Sequence, residues 1–332
     1  MKFAVAPMVC QSDAPFRALC LKYGATVTYT EMLYTSKIVS DPDYLDNVLP
    51  SYDTKLIKEE YSYKPLIVQV CGNDPIVMSK AVFIIASTRK DVGAIDINLG
   101  CPQDRARDGL FGSFLLDKQH WERVFSCVKA CSEALLPFDV PFICKIRLIE
   151  GSDILSLTTQ FCRGLIENGA KAICIHGRTR GSTKKRRCGP ADLTTIATIA
   201  KILQIDYPHI PVISNGNITS TSDVIEARRV TLPCAGVMSA EGVLANPALF
   251  YGVPTHTSSD STDTTNSEAT DTTDSNTTRQ HLNWLLRKSG HGRMVRYEYI
   301  GNVYQKHVHL MQALNEAKSI QELQNIAATC FC

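Results

Sequence analysis

The sequence has no CxxC pair, no run of about 18 uncharged apolar residues and no excess of either sign of charge. The first absence excludes the common structural zinc patterns, and no metal site is expected. The second excludes a transmembrane helix. The third, 35 Lys and Arg against 33 Asp and Glu for a net +2, excludes a polybasic tail protein. Hydrophobic residues make up 44% of the 332, too many for wholesale disorder or a collagen-like chain. This length suggests one large domain or two modest ones. The opening MKFAVAPMV reaches Pro7 after too short an apolar stretch for a signal peptide, and it reads as a first strand.

Cysteine is plentiful by contrast. There are 13, an odd number, and the tightest pair is Cys330 and Cys332 at the end. A chain this long can build its own core, so a disulfide framework is not expected. Reduced thiols in the cytoplasm, or in the nucleus as well, are expected. Most should serve as small buried hydrophobes, such as Cys144 in PFICKIRL and Cys174 in AICIHG.

Residues 1–253 alternate between short apolar runs and amphipathic stretches. The runs at 3–5, 26–29, 66–70, 94–98, 142–146, 172–175, 212–214 and 236–238 read as eight strands. Helical patterns lie between most of them, at 14–23, 75–87, 121–134, 154–168, 191–203 and 222–230. Apolar strands separated by helices imply a parallel sheet covered by helices. Eight such units in this length predict a TIM (β/α)8 barrel, with a doubly wound sheet as the alternative. From 255 to 278, 15 of 24 residues are Ser or Thr, and 254–280 carries a net −4. Too little there is apolar to offset the entropy of ordering, so a flexible linker is expected. Residues 281–332 read as a small helical domain with six Lys or Arg against three Glu.

In such a barrel the site forms where the strands end. Those ends read Ala6-Pro7-Met8, Gln69, Asn98-Leu99-Gly100-Cys101-Pro102, Lys145 and Arg147, His176-Gly177-Arg178, Asn215-Gly216-Asn217, and Met238-Ser239-Ala240-Glu241-Gly242, and the last five in a row are polar or Gly-rich. The last two read as an anion cradle at helix starts, with Glu241 turned away, or else as ordinary strand–helix turns. Lys145 and Arg147 flank Ile146, so only one of them is expected to reach the barrel mouth. Lys145 suits a polarised ring carbonyl, the alternative being a surface cation. His176 could donate to a cofactor or sit satisfied in the core. Cys101 follows a buried strand directly, and a thiol there could act as nucleophile or acid. Arg105, Arg107 and six Lys or Arg between 178 and 187, including Lys184 to Arg187, form a basic rim. Such a rim suggests an anionic macromolecule, or a merely solvated loop.

The segments APMVCQSDAPFR, YTEMLYTSKIV, PLIVQVCGNDP, IDINLGCPQ, FGSFLL, CKIRL, IHGRTR, IPVISNGNI and GVMSAEGVLANPALF resemble the tRNA-dihydrouridine synthases, in family order, over roughly 3–250. The resemblance implies an FMN-binding barrel, a small helical domain that helps hold tRNA, and NADPH as reductant. It implies reduction of the C5–C6 bond of D-loop uridines. Pro7, Met8 and Val9 would lie against the flavin, and Gln69 and Lys145 would bind its polar edge. His176, Asn215, Gly216, Asn217, Ala240 and Glu241 would hold its phosphate region. Asn98, Arg147 and Arg178 would contact the uridine side, and Cys101 would be the general acid.

NLGCPQ, SDAPFR, NGN and SAEG resemble the eukaryotic branch acting at positions 16 and 17, whereas GVLANPALF is more similar to the 20a/20b branch. QDRARDG, the KKRRCG insert and the short end domain depart from the family pattern. A monomer is expected. The alternatives are a flavin barrel acting on a small molecule, a tRNA-binding factor without catalysis, and a phosphate-binding barrel lyase.

Overall fold

A computed structural model describes residues 2–9, 11–49, 65–181 and 189–254. The expected linker from 255 on, the helical domain at 281–332 and the Lys184–Arg187 run lie outside the described residues.

Eight parallel strands close a barrel. They are β1 Lys2–Val5, β2 Val27–Tyr29, β3 Leu66–Cys71, β4 Val92–Leu99, β5 Phe142–Arg147, β6 Ile173–His176, β7 Val212–Asn215 and β8 Gly236–Ser239. Neighbours pair in sequence order. The seam joins β1 to β8, from Lys2↔Gly236 to Val5↔Ser239, while β2 meets β3 at Thr28↔Leu66. The TIM barrel expected from the alternation is present, with one addition. A two-residue strand, Leu33–Tyr34, pairs with the end of β3 at Val70 and Cys71. It is too short to announce itself by pattern.

The helices between strands are α1 Ala14–Lys22, α2 Thr35–Ser40, α3 Tyr44–Val48, α4 Pro75–Thr88, α5 Asp104–Asp108, α6 Trp121–Leu135, α7 Ile154–Glu167, α8 Leu193–Asp206, α9 Thr221–Val230 and α10 Glu241–Ala245. Four are capped by an aspartate side chain. The carboxylates of Asp13, Asp74, Asp153 and Asp192 accept backbone N–H groups at the starts of α1, α4, α7 and α8. Each such cap stabilises its helix by about 1 kcal/mol. Since every βα unit starts its helix at the strand's C-terminal end, these caps fix where the loops around the mouth must end.

Burial follows the two-residue period of the strands. On β4, Ile95, Ile97 and Leu99 face the helices, while Ala94, Asp96 and Asn98 face inward. On β5, Phe142, Cys144 and Ile146 face outward, leaving Ile143, Lys145 and Arg147 inside. This overturns the expectation that Lys145 and Arg147 could not both point inward. Two residues apart on one strand share a face. The lower barrel is filled by Ala4, Ala6, Tyr29, Ala94, Ile143, Cys174 and Met238. Cys144 and Cys174 are buried as expected, and burial pushes the Cys174 thiol up to about 12.

Candidate active site

Above that apolar layer the barrel interior turns polar, and three groups of side chains meet there. The first centres on Gln69. Its Nε2 donates to Asp96 Oδ2 at 2.7 Å, and its Oε1 accepts from Asn98 Nδ2 at 2.9 Å. Asn98 Oδ1 accepts the backbone N–H groups of Gly100 (3.0 Å) and Cys101 (2.9 Å). One amide therefore links the strand floor to the cysteine loop. The Asn98 amide is engaged at both ends, with Met32 Sδ 3.1 Å from its nitrogen. Its geometry is that of a loop holder rather than of a free base-reader.

Cys101 is fixed on its other side too. Its carbonyl accepts from both the N–H and the hydroxyl of Ser113, each at 2.9 Å. Ser113 can come this close because Gly112, at φ +64°, crosses over Cys101. A Cβ on Gly112 would stand 2.6 Å from the Cys101 carbonyl oxygen. Arg180 braces the same loop. It donates to the Ser113 carbonyl at 3.0 Å, grips Asp117 with two nitrogens (2.8 and 3.2 Å) and lies 4.7 Å above the Phe114 ring. Arg147 Nε donates to the Gly100 carbonyl at 2.6 Å. The Arg147 guanidinium is 9% exposed and has no carboxylate partner among the described residues. Burial, with Arg178 nearby, lowers it to about 10, and Cys101 acts on it in the opposite sense.

The second group joins β5 to β7. Lys145 Nζ donates to Asn215 Oδ1 at 3.1 Å, and Asn215 Nδ2 donates to the Met238 carbonyl at 2.9 Å. Lys145 is half-buried. Burial pulls its ammonium below its ordinary value, and Arg147 adds to that, while Asp96 opposes it. Asp96 is fully buried with Oδ1 lacking a partner. Burial pushes its carboxyl well up, against the pull of Gln69 and Lys145.

The third group lies at the ends of β6 and β7. Arg178 Nη1 is 3.2 Å from His176 Nε2, and Arg178 Nη2 donates to Asn217 Oδ1 at 3.2 Å. A guanidinium has only donors, so Nε2 must accept and the imidazole proton must sit on Nδ1. Burial and the charges of Lys145, Arg147 and Arg178 push the imidazole down to about 2, so it is neutral. Asn217 closes the turn. Its side chain exchanges two hydrogen bonds with Ala191, at 2.7 and 2.8 Å. Gly216 makes the turn possible at φ +129°, where a Cβ would strike Ala191.

The two helix starts read as an anion cradle are built differently. α9 has its own capping box, in which the Ser220 hydroxyl accepts the Asp223 N–H and the Asp223 carboxylate accepts the Ser220 N–H. α10 begins after Ala240 with no side-chain cap, and Glu241 there is exposed. Pro7 and Met8 are half-buried, and Val9 is 53% exposed. The buried Ser12 hydroxyl holds their turn by accepting the Met8 N–H and donating to the Ala6 carbonyl.

Reading strand ends alone misses Asp96, Ser12, Gly112, Ser113 and the Arg180–Asp117 pair. Asp96 left one usable signal, an acid two residues before Asn98 inside an apolar strand. Of the basic rim, Arg107 is tied to Asp104 and Asp108. No grouping of His, Cys, Asp or Glu among the described residues would hold a metal, and none of their helices is long and apolar enough to cross a membrane.

A closed parallel barrel with a cation-rich polar group of side chains at its strand ends, beside a braced thiol, defines a TIM-barrel protein. The family model for dihydrouridine synthase matches residues 4–330, and the chain belongs to that family. It is 34% identical over 249 residues to the Schizosaccharomyces pombe tRNA-dihydrouridine(16/17) synthase [NAD(P)(+)], covering 75% of this chain and 57% of that one. It is 37% identical over 251 residues to the corresponding Rattus norvegicus 16/17-like protein, covering 76% and 52%. The S. pombe 20a/20b synthase is 32% identical over 248 residues, covering 74% and 68%. The chain thus spans about half the length of the 16/17 relatives it matches. Among solved structures, a 2-naphthoyl-CoA reductase matches at a TM-score of 0.53 with 11% identity, covering 75% of this chain and 49% of that one. That likeness concerns the fold alone.

Proposed function

We propose that this chain reduces the C5–C6 double bond of uridines in tRNA, at positions 16 and 17 of the D-loop. The observation that carries the reading is the double anchoring of Cys101 beside a buried Arg147 that has no carboxylate partner among the described residues. The position rests on higher identity to the two 16/17 relatives than to the 20a/20b one.

The polar side chains at the mouth support a phosphorylated flavin as the cofactor. Lys145 and Gln69 offer donors to a polar ring edge, and the neutral His176 presents Nδ1–H. Arg178, beside His176 and Asn217, suits an anionic group, and this position favours the cradle over the base. The uncapped start of α10 at Ala240 and Glu241, next to Asn215, Gly216 and Asn217, suits the same phosphate. Pro7, Met8 and Val9 supply an apolar edge. Bound FMN, recharged by NADPH, would supply hydride to C6 of the uracil.

The chain's own residues do the rest. The Cys101 thiol delivers a proton to C5, which requires it neutral at that moment. Arg147 lies where it can meet negative charge developing on the uracil O4. Asn98 keeps the Cys101 peptide in place. The uridine must leave its stack to reach a barrel mouth. The nine described cysteines are all free thiols, in keeping with a reducing compartment, the cytoplasm or nucleus.

The test is Cys101→Ala in the full chain. The variant should remain yellow and bind tRNA, yet form dihydrouridine at least 100-fold more slowly. Wild-type turnover by the variant would refute the acid role. A colourless wild-type protein would refute the flavin reading.

A further inference from the structure

A pocket of about 650 Å³ opens beside the cysteine loop, lined by Tyr34, Lys37, Arg105, Asp108, Gly109 and Phe111. Its volume suits one nucleotide. The walls come from the strand Leu33–Tyr34 with α2 on one side and α5 with the following turn on the other. Both are pinned to the barrel. Thr35 Oγ1 donates to the Cys71 carbonyl at 3.0 Å, and Asn73 Nδ2 donates to the Leu110 carbonyl at 2.8 Å. Leu110 is held at φ +45°, an unusual conformation for a bulky side chain. Phe111 meets the Tyr34 ring edge-on at 5.7 Å. Tyr34, Phe111 and Cys101 pack in one small cluster, so the pocket lies a single side-chain layer from the thiol.

The charges around it are not balanced internally. Arg105 is exposed and makes no ion pair among the described residues. The Lys37 ammonium lies over two rings, 5.8 Å from Tyr34 and 5.6 Å from Tyr44, and also lacks a carboxylate partner there. Asp108, the one acid in the lining, is taken up by Arg107 at 3.2 Å. Two uncompensated cations thus face an aromatic wall.

We infer that this pocket is a second nucleotide subsite, which seats a phosphate and sugar of the RNA next to the base that enters the barrel. Lys37 and Arg105 bind the phosphate, and the Tyr34–Phe111 wall packs against the sugar or base. This inference rests on the proposed activity toward tRNA.

The test compares the full chain with Arg105→Ala, Lys37→Ala, the double variant and Arg105→Lys. The probe is unmodified tRNA, with Kd measured across NaCl concentration and with KM and kcat for uridine reduction. The double variant should bind about tenfold more weakly, and its salt slope should be shallower by about 0.7 to 0.9 per lost phosphate contact. KM for tRNA should rise while kcat and the KM for NADPH stay put, and Arg105→Lys should restore the slope. An unchanged slope in the double variant overturns the subsite. So does an effect confined to kcat or to NADPH, or a wild-type chain that binds no tRNA. A wild-type chain that binds tRNA but leaves uridine unreduced sinks the proposed activity instead, and the slopes still score the pocket.

Discussion

Gln69 donates to Asp96 inside the barrel, and that single 2.7 Å bond decides which way round the Gln69 amide sits. Its nitrogen faces the carboxylate, so its oxygen must face Asn98, whose own oxygen is left for the peptides of Gly100 and Cys101. The cysteine loop is thereby keyed to a residue buried two positions below Asn98.

Replacing Asp96 tests this. Asp96→Leu leaves the Gln69 nitrogen buried without an acceptor, which should cost about 1–3 kcal/mol of stability. Asp96→Asn keeps an acceptor oxygen for Gln69 and should cost less. Urea denaturation of both variants measures the difference. Equal losses would mean that the hydrogen bond is irrelevant and only volume matters.

His176 gives stability a pH dependence of known sign. Its folded value is pushed down to about 2 from an ordinary 6.5. Between those values the unfolded chain binds a proton that the folded chain refuses. The imidazole's contribution is therefore complete above 6.5 and fades as the pH falls toward 2. His176→Gln should show a flatter decline of Tm across that range than wild type. Parallel curves for the two proteins would contradict the assignment of a neutral imidazole.

Gly112 passes over Cys101 at φ +64° with no room for a methyl group. Gly112→Ala should destabilise the chain by about 2 kcal/mol. It should also displace the thiol, slowing uridine reduction at least tenfold while flavin content stays unchanged. Calorimetry and single-turnover kinetics check the two halves separately. Full activity in a destabilised variant would show that the loop relaxes without moving the sulfur.

Much of this was legible in the sequence, for physical reasons. Runs such as 142–146 and 212–214 are mostly apolar because both faces of a barrel strand are covered, and β5 and β7 appear there within a residue. Helix starts were visible where an aspartate precedes the pattern, as at Asp153 before α7. What escaped was relational. α5 is five residues long and polar, and a helix that short has no period to display. Asp96 has no local meaning in the sequence beyond an acid inside an apolar strand, because only its partner 27 residues away makes it part of a site. Nothing local to Arg178 announces Asn217, 39 residues on, as its acceptor. Lys145 and Arg147, two residues apart on β5, share the inward face by strand period alone, and that much is legible in the sequence.

The Arg180 clasp has an evolutionary corollary. It fastens the segment after β6 to Asp117 and to the carbonyl of Ser113, the residue that itself grips Cys101. Neither segment can be lengthened, recruited from a cousin or redesigned in isolation without loosening the other. The two should be inherited, and transplanted, as a matched pair.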